Sequence, residues 1–140
     1  MTTNSRATTR TDPALKAAVV AAAVVAAIAH IPVIRPHLDE APYMGIAFIA
    51  FTVVCFAVGA AIAVTSKTWA YQSAVAVCGS AVFVYAATRL VAFPQLSDDV
   101  GNWFEPLGVV SVVSETAVVV LALVILIRRS RITQPTSQRR

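Results

Sequence analysis

The chain has 140 residues, 58% of them hydrophobic and only 13% charged, with a formal net charge of +4. Once its apolar runs are counted, too little polar chain is left for a soluble domain, and the distribution of the basic residues around the apolar runs argues against nucleic-acid binding. Two cysteines without C-x-x-C spacing exclude a thiol relay.

Residues 1–13 are rich in Thr, Ser and Arg and are expected to form a disordered tail. The first apolar run, 14–34, is long enough for a helix to cross the hydrocarbon of a bilayer, which takes about 20 apolar residues. Its basic start (Arg6, Arg10, Lys16) and its Ala27-Ile28-Ala29 close also read as a signal peptide cleaved before His30. Such an N-terminal histidine would chelate copper. Apolar residues continue through Ile31, Val33 and Ile34, which favours a span over a cleaved leader. Ala22, Ala23, Ala26 and Ala27 form a smooth strip leading to His30. Pro32, Pro36 and Pro42 are expected to end this helix and bracket a connection at 35–41 that holds His37, Asp39 and Glu40.

The second run, 42–64, repeats Gly45, Thr52 and Gly59 every seven residues, with Phe48, Cys55 and Ile62 interleaved at the same period. That is a seam for close packing against a neighbouring helix. The third run, 68–93, opens with Trp69 and Tyr71 beside Lys67 and has Gln72, Ala76, Gly79 and Ser80 on one side. It also bears a stripe of Cys78, Ala81, Tyr85, Thr88 and Arg89. Cys55 and Cys78 fall at similar depth, so they could touch as small packing residues. Residues 94–103 are a second connection carrying Asp98 and Asp99, flanked by Pro94 and Pro106. The fourth run, 104–127, starts at an aromatic edge (Trp103, Phe104) and contains Gly108, Ser111, Ser114 and Glu115. A basic tail, 128–140, is expected to be disordered and to touch anionic headgroups.

In a bilayer, backbone groups must be satisfied within their own segment, so the runs must be helices. Short connections make neighbours antiparallel. The expected fold is therefore all-α, an integral membrane up-down four-helix bundle. Nine of the eleven basic residues fall on the face of the termini and of Lys67, with Arg35 and Arg89 the exceptions. Asp39, Glu40, Asp98, Asp99 and Glu105 fall on the other. The positive-inside rule then puts both termini in the cytoplasm and the loops 35–41 and 94–103 outside a plasma membrane.

Ionisable groups at membrane depth mark a site or a structural pair. Glu115 lies ~13 Å inside its helix end, level with Tyr85, and Arg89 sits one turn nearer the surface. Arg89 and Tyr85 are expected to face Glu115, with Ser111 one turn before it, as a ligand-binding group. The rival reading of Arg89 and Glu115 is a purely structural ion pair. Asp98 and Asp99 read as solvated loop residues. His30, His37 and Glu40 offer ligand types suited to a divalent metal ion, without tight spacing such as H-x-x-x-H. Bis-histidine haem ligation needs two helices at matched depth, and the prolines leave only one histidine in a helix. No nucleophile–base arrangement or nucleotide motif is present, so an enzyme is not expected.

In size and number of crossings the chain resembles small multidrug transporters, but those carry an essential carboxylate on the first helix, which has no acid here. The pattern His30…His37-x-x-Glu40…Pro42-x-x-Gly45-x-x-Phe48, then Tyr85-x-x-x-Arg89, then Gly108…Glu115, resembles small four-helix membrane proteins of actinobacteria. That resemblance implies only that these polar positions belong together. Two functions fit the residues. One is a non-enzymatic membrane protein, a small transporter or binding module, with an outward-facing polar pocket for a metal ion, proton or small polar ligand. The other is an accessory or assembly subunit of a larger membrane complex, or a homodimer, which would use the Ala strip and the glycine seam against a partner.

Overall fold

The computed structural model describes residues 12–133. Residues 1–11 and 134–140, which make up most of the two expected tails, lie outside the described residues. The described chain is all-α: α1 (Pro13–Glu40), α2 (Pro42–Thr65), α3 (Thr68–Leu90) and α4 (Pro106–Thr133), with a single 3-10 turn at Ser97–Asp99. All four helices are long and apolar enough to cross a membrane. Each packs on two neighbours, α1 on α2 and α4, and α3 on α4 and α2, which makes a closed square. The α1–α2 contact is the most extensive and the α2–α3 contact the thinnest.

Local chemistry sets the helix ends. Asp12 caps α1 by accepting from Ala14 N at 2.9 Å, and Pro13 fills the first turn where no N–H is needed. Glu105 does the same for α4: its carboxylate accepts from Leu107 N and Gly108 N just ahead of Pro106. Lys16 Nζ donates to Ala63 O at 2.7 Å, placing a cation on the carbonyl end of α2. The α2–α3 turn is only Ser66–Lys67, with Ser66 left-handed (φ 51°).

α1 does not stop at its prolines. It runs unbroken through Pro32 and Pro36 to Glu40, so the expected connection at 35–41 shrinks to one residue, Ala41. Both prolines and Ile28 are exposed and lie four residues apart, so the carbonyls that lose a donor share one outer face of the helix. The opposite face, with His30 and His37, stays intact. α4 likewise continues past 127 to Thr133, where Arg131 in the last turn complements the carbonyl end of the helix. Arg129 holds this extension in place, donating to Ser66 O at 2.8 Å and lying 4.7 Å from the Tyr71 ring centroid. α3 ends at Leu90, three residues short of expectation.

The core is built of small residues. Ala23, Ala26 and Ala27 of α1 meet the seam of α2, in which Gly45, Thr52, Cys55, Gly59 and Ile62 are all buried. Cys55 Sγ donates to Ala23 O at 3.4 Å. Cys55 and Cys78 are both free, and they adjoin across α2 and α3. The exterior is as apolar as the interior: Val64, Phe83, Leu90, Val53 and Val113 are all well exposed. Such a surface suits helices that face lipid.

Two glycines on the seam should respond differently to alanine. A Cβ at Gly45 would lie 2.6 Å from Leu38 Cγ and 2.7 Å from Leu38 N, so the α1–α2 hairpin would have to open. A Cβ at Gly59 would meet only Ala23 Cβ, at 3.7 Å. Gly45→Ala should destabilise by about 1–3 kcal/mol, and Gly59→Ala should be neutral or stabilising by up to about 1 kcal/mol. Reversible unfolding in mixed micelles measures both; equal losses would mean that the seam tolerates neither.

Candidate functional site

One end of the bundle gathers the α1–α2 and α3–α4 connections and five of the acids. Beneath it lies a cavity of about 330 Å³, lined by all four helices and by Asp99 and Glu105. This is within the size range of small-molecule sites. Its walls are largely apolar (Phe48 and Phe51 of α2, Val84 of α3), and its polar groups converge from α1, α3 and α4.

Glu115 is the deepest of these, 1% exposed, and its Oε1 has no hydrogen-bond partner. His30 Nε2 lies 3.6 Å from it. The other ring nitrogen, Nδ1, lies 2.8 Å from Ala26 O. A carbonyl only accepts, so Nδ1 carries a hydrogen, and in its neutral form the ring presents the Nε2 lone pair to Glu115. Two acceptors therefore face each other in a buried apolar setting, which is unfavourable unless a proton or a cationic donor lies between them. Phe48 and Phe51 pack on the His30 ring at centroid distances of 5.2 and 4.6 Å. His37, two turns on, repeats the device: Nδ1 to Val33 O at 2.8 Å, its ring edge-on to Phe48.

Arg89 does not pair with Glu115 as expected. It forms an ion pair with the carboxylate of Asp99, donates to Asp99 O at 3.1 Å, and lies 4.7 Å from the Tyr85 ring centroid. Its own carbonyl accepts from Gly101 N at 2.9 Å. Tyr85 OH donates to Trp103 O at 2.8 Å. Arg89 and Tyr85 thus tie the α3–α4 connection down over the cavity, and Asp99 is no solvated loop residue. The physical reason is depth. An arginine at the last residues of α3 meets a carboxylate of the connection that follows more cheaply than it reaches one buried deep on α4.

All four expected ligand-binding residues, Glu115, Arg89, Tyr85 and Ser111, line the one cavity. The three expected metal ligands do not come together: His30 and His37 face the cavity, but Glu40 is exposed at the end of α1. Among the described residues no group of three or more His, Cys, Asp or Glu is placed to hold a metal. Both histidines belong to one helix, so they do not make a two-helix haem site. Glu105 is spent on the N-terminus of α4, and Gly108 is small where a Cβ would meet Tyr85 Cε2 at 2.7 Å.

Comparison of the chain with protein-family models, curated proteins and solved structures gave no match.

The pairing of Arg89 can be tested by double-mutant cycles in mixed micelles. Arg89→Gln with Asp99→Asn should show coupling of about 1–3 kcal/mol, while Arg89→Gln with Glu115→Gln should be additive to within about 0.5 kcal/mol. The reverse pattern would restore the Arg89–Glu115 pair.

Proposed function

We propose that the chain is a non-enzymatic integral membrane protein, a binding module or small transporter, whose pocket takes up a proton or a small cationic ligand at the His30–Glu115 pair. The observation that carries this reading is the buried Glu115 Oε1, which lacks a donor and faces the His30 Nε2 lone pair across 3.6 Å. The other charges near the pocket are already matched, Arg89 by Asp99 and Glu105 by the N–H groups of α4. Glu115 is the one whose charge has no partner unless something is bound. In this reading the acidic end faces outward from a plasma membrane and the basic end lies in the cytoplasm, following the charge distribution. The rival role as an accessory subunit or homodimer draws less support, because Gly45, Thr52, Gly59 and the Ala strip are used up between α1 and α2.

Infrared difference spectroscopy of the protein in lipid bilayers, titrated over roughly pH 5 to 9, tests the reading directly. A protonated-carboxyl C=O band that vanishes in Glu115→Gln is expected, and His30→Phe should move its midpoint by about one pH unit or more. A band absent from the wild-type protein, or indifferent to both substitutions, would sink the proposal.

A further inference from the structure

The cavity-lining residues of α1 and α4 are buried or half-buried, as are those of the α3–α4 connection. Its exposed lining residues belong to α2 and α3 alone: Ala47, Ser80 and Val84. Ala47 lies ~7 Å inside the start of α2, Val84 ~9 Å and Ser80 ~15 Å inside the end of α3, at 1.5 Å per residue. The opening is thus in the flank of the bundle, within its apolar belt. It falls at the thinnest of the four helix contacts.

The end above it is closed. Leu96 is buried against Ala41 and Met44, with Phe93 and Phe48 packed on the same cluster. Tyr43 OH donates to Pro94 O at 2.7 Å across this cover. The Arg89–Asp99 pair and the Tyr85–Trp103 contact close the neighbouring side.

We propose that ligands reach the pocket sideways from the bilayer, through the gap between α2 and α3, and that they are primary amines with an apolar body. This rests on the pocket reading above. An ammonium carries several N–H donors and a charge, so one head group satisfies both His30 Nε2 and Glu115 Oε1 where a proton otherwise sits. Phe48 and Phe51 beside His30 offer ring faces that favour a cation. The apolar walls and the flank opening suit the hydrocarbon part, which a water-borne cation lacks. Proton and ammonium then compete for one place, so lowering the pH weakens amine binding by up to about tenfold per unit once the proton occupies it.

The test is equilibrium binding of labelled dodecylammonium, methylammonium and dodecanol to the protein in phosphatidylcholine nanodiscs, with protein-free discs subtracted. Saturable dodecylammonium binding is expected, at least about tenfold tighter than that of methylammonium or dodecanol. It should fall by a similar factor in Glu115→Gln and be lost or much slowed in Ala47→Trp, which fills the gap. Val84→Trp on the facing wall gives the same readout should Ala47→Trp misfold, with helical circular dichroism and a monodisperse profile as the criterion of folding. Methylammonium binding as tightly as dodecylammonium and indifferent to the tryptophan would overturn lateral access. Dodecanol binding as tightly as the ammonium would overturn the amine class. Absence of saturable binding would overturn the inference as a whole, and the Glu115 infrared band decides separately whether the protonatable pocket survives.

Discussion

Pro32 and Pro36 remove two N–H groups from the hydrogen-bond ladder of α1, and the arrangement of the cavity depends on the helix continuing past them. In water a chain with two such defects stops or kinks. Here both defects fall on one outer face, and on the other side the helix packs closely on α2, Leu38 against Gly45. In helices apolar enough to cross a bilayer, packing on neighbouring helices lets a proline stand where water would unravel the turn. The unbroken helix carries His30 and His37 along one stripe, two turns apart, and turns that stripe inward. It also leaves a single-residue link, Ala41, which fixes the distance of α2 from α1.

That continuity explains the site. Measured from Glu40, His30 lies ~15 Å inside α1, while Glu115 lies ~13 Å inside α4 from Pro106. The two side chains are level, and α1 and α4 are neighbours in the square. The pair is therefore a product of register between non-sequential helices, held from below by the Ala strip of α1 and by Val118 and Ala122 in the same core. Arg89, the one arginine that lines the cavity, does not compensate Glu115, because it is committed to Asp99. Asp99 holds Arg89, Glu105 caps α4, and Glu40 remains at the surface.

Much of this was legible in the chain. Hydropathy and the short connections defined four helices and their antiparallel order. The seven-residue recurrence of Gly45, Thr52 and Gly59 identified the face of α2 that is buried. Glu115, Ser111, Tyr85 and Arg89 were recognisable as one polar group, and they do share one cavity. The pairings within that group were not legible, and a single boundary is the reason. Ending α1 at residue 34 puts His30 at the surface and hides its level match with Glu115. Arg89 then looks like the carboxylate's natural partner. Proline is read locally as a stop, whereas its effect here depends on which face it occupies and what packs against the other. The partner of Arg89 was hidden for a related reason. Asp99 comes only ten residues later, but the left-handed turns at Gln95 and Gly101 that fold it back leave little mark in composition.

The division of charge has a consequence for access. Because Arg89 and Tyr85 are spent on holding the α3–α4 connection, the acidic end is covered by hydrogen bonds and by the Leu96 cluster. Opening it to water would break the ion pair, both tyrosine hydrogen bonds and an apolar contact together. The opening between α2 and α3 is edged by Ala47, Ser80 and Val84, and the polar contact between these two helices is the thiol pair Cys55–Cys78, deeper in the bundle. Separating those helices sacrifices little more than dispersion contacts, which lipid chains can replace. On the proposed reading, the least costly path to the buried carboxylate runs through hydrocarbon, and selectivity along it would fall to whatever is apolar enough to enter and cationic enough to stay.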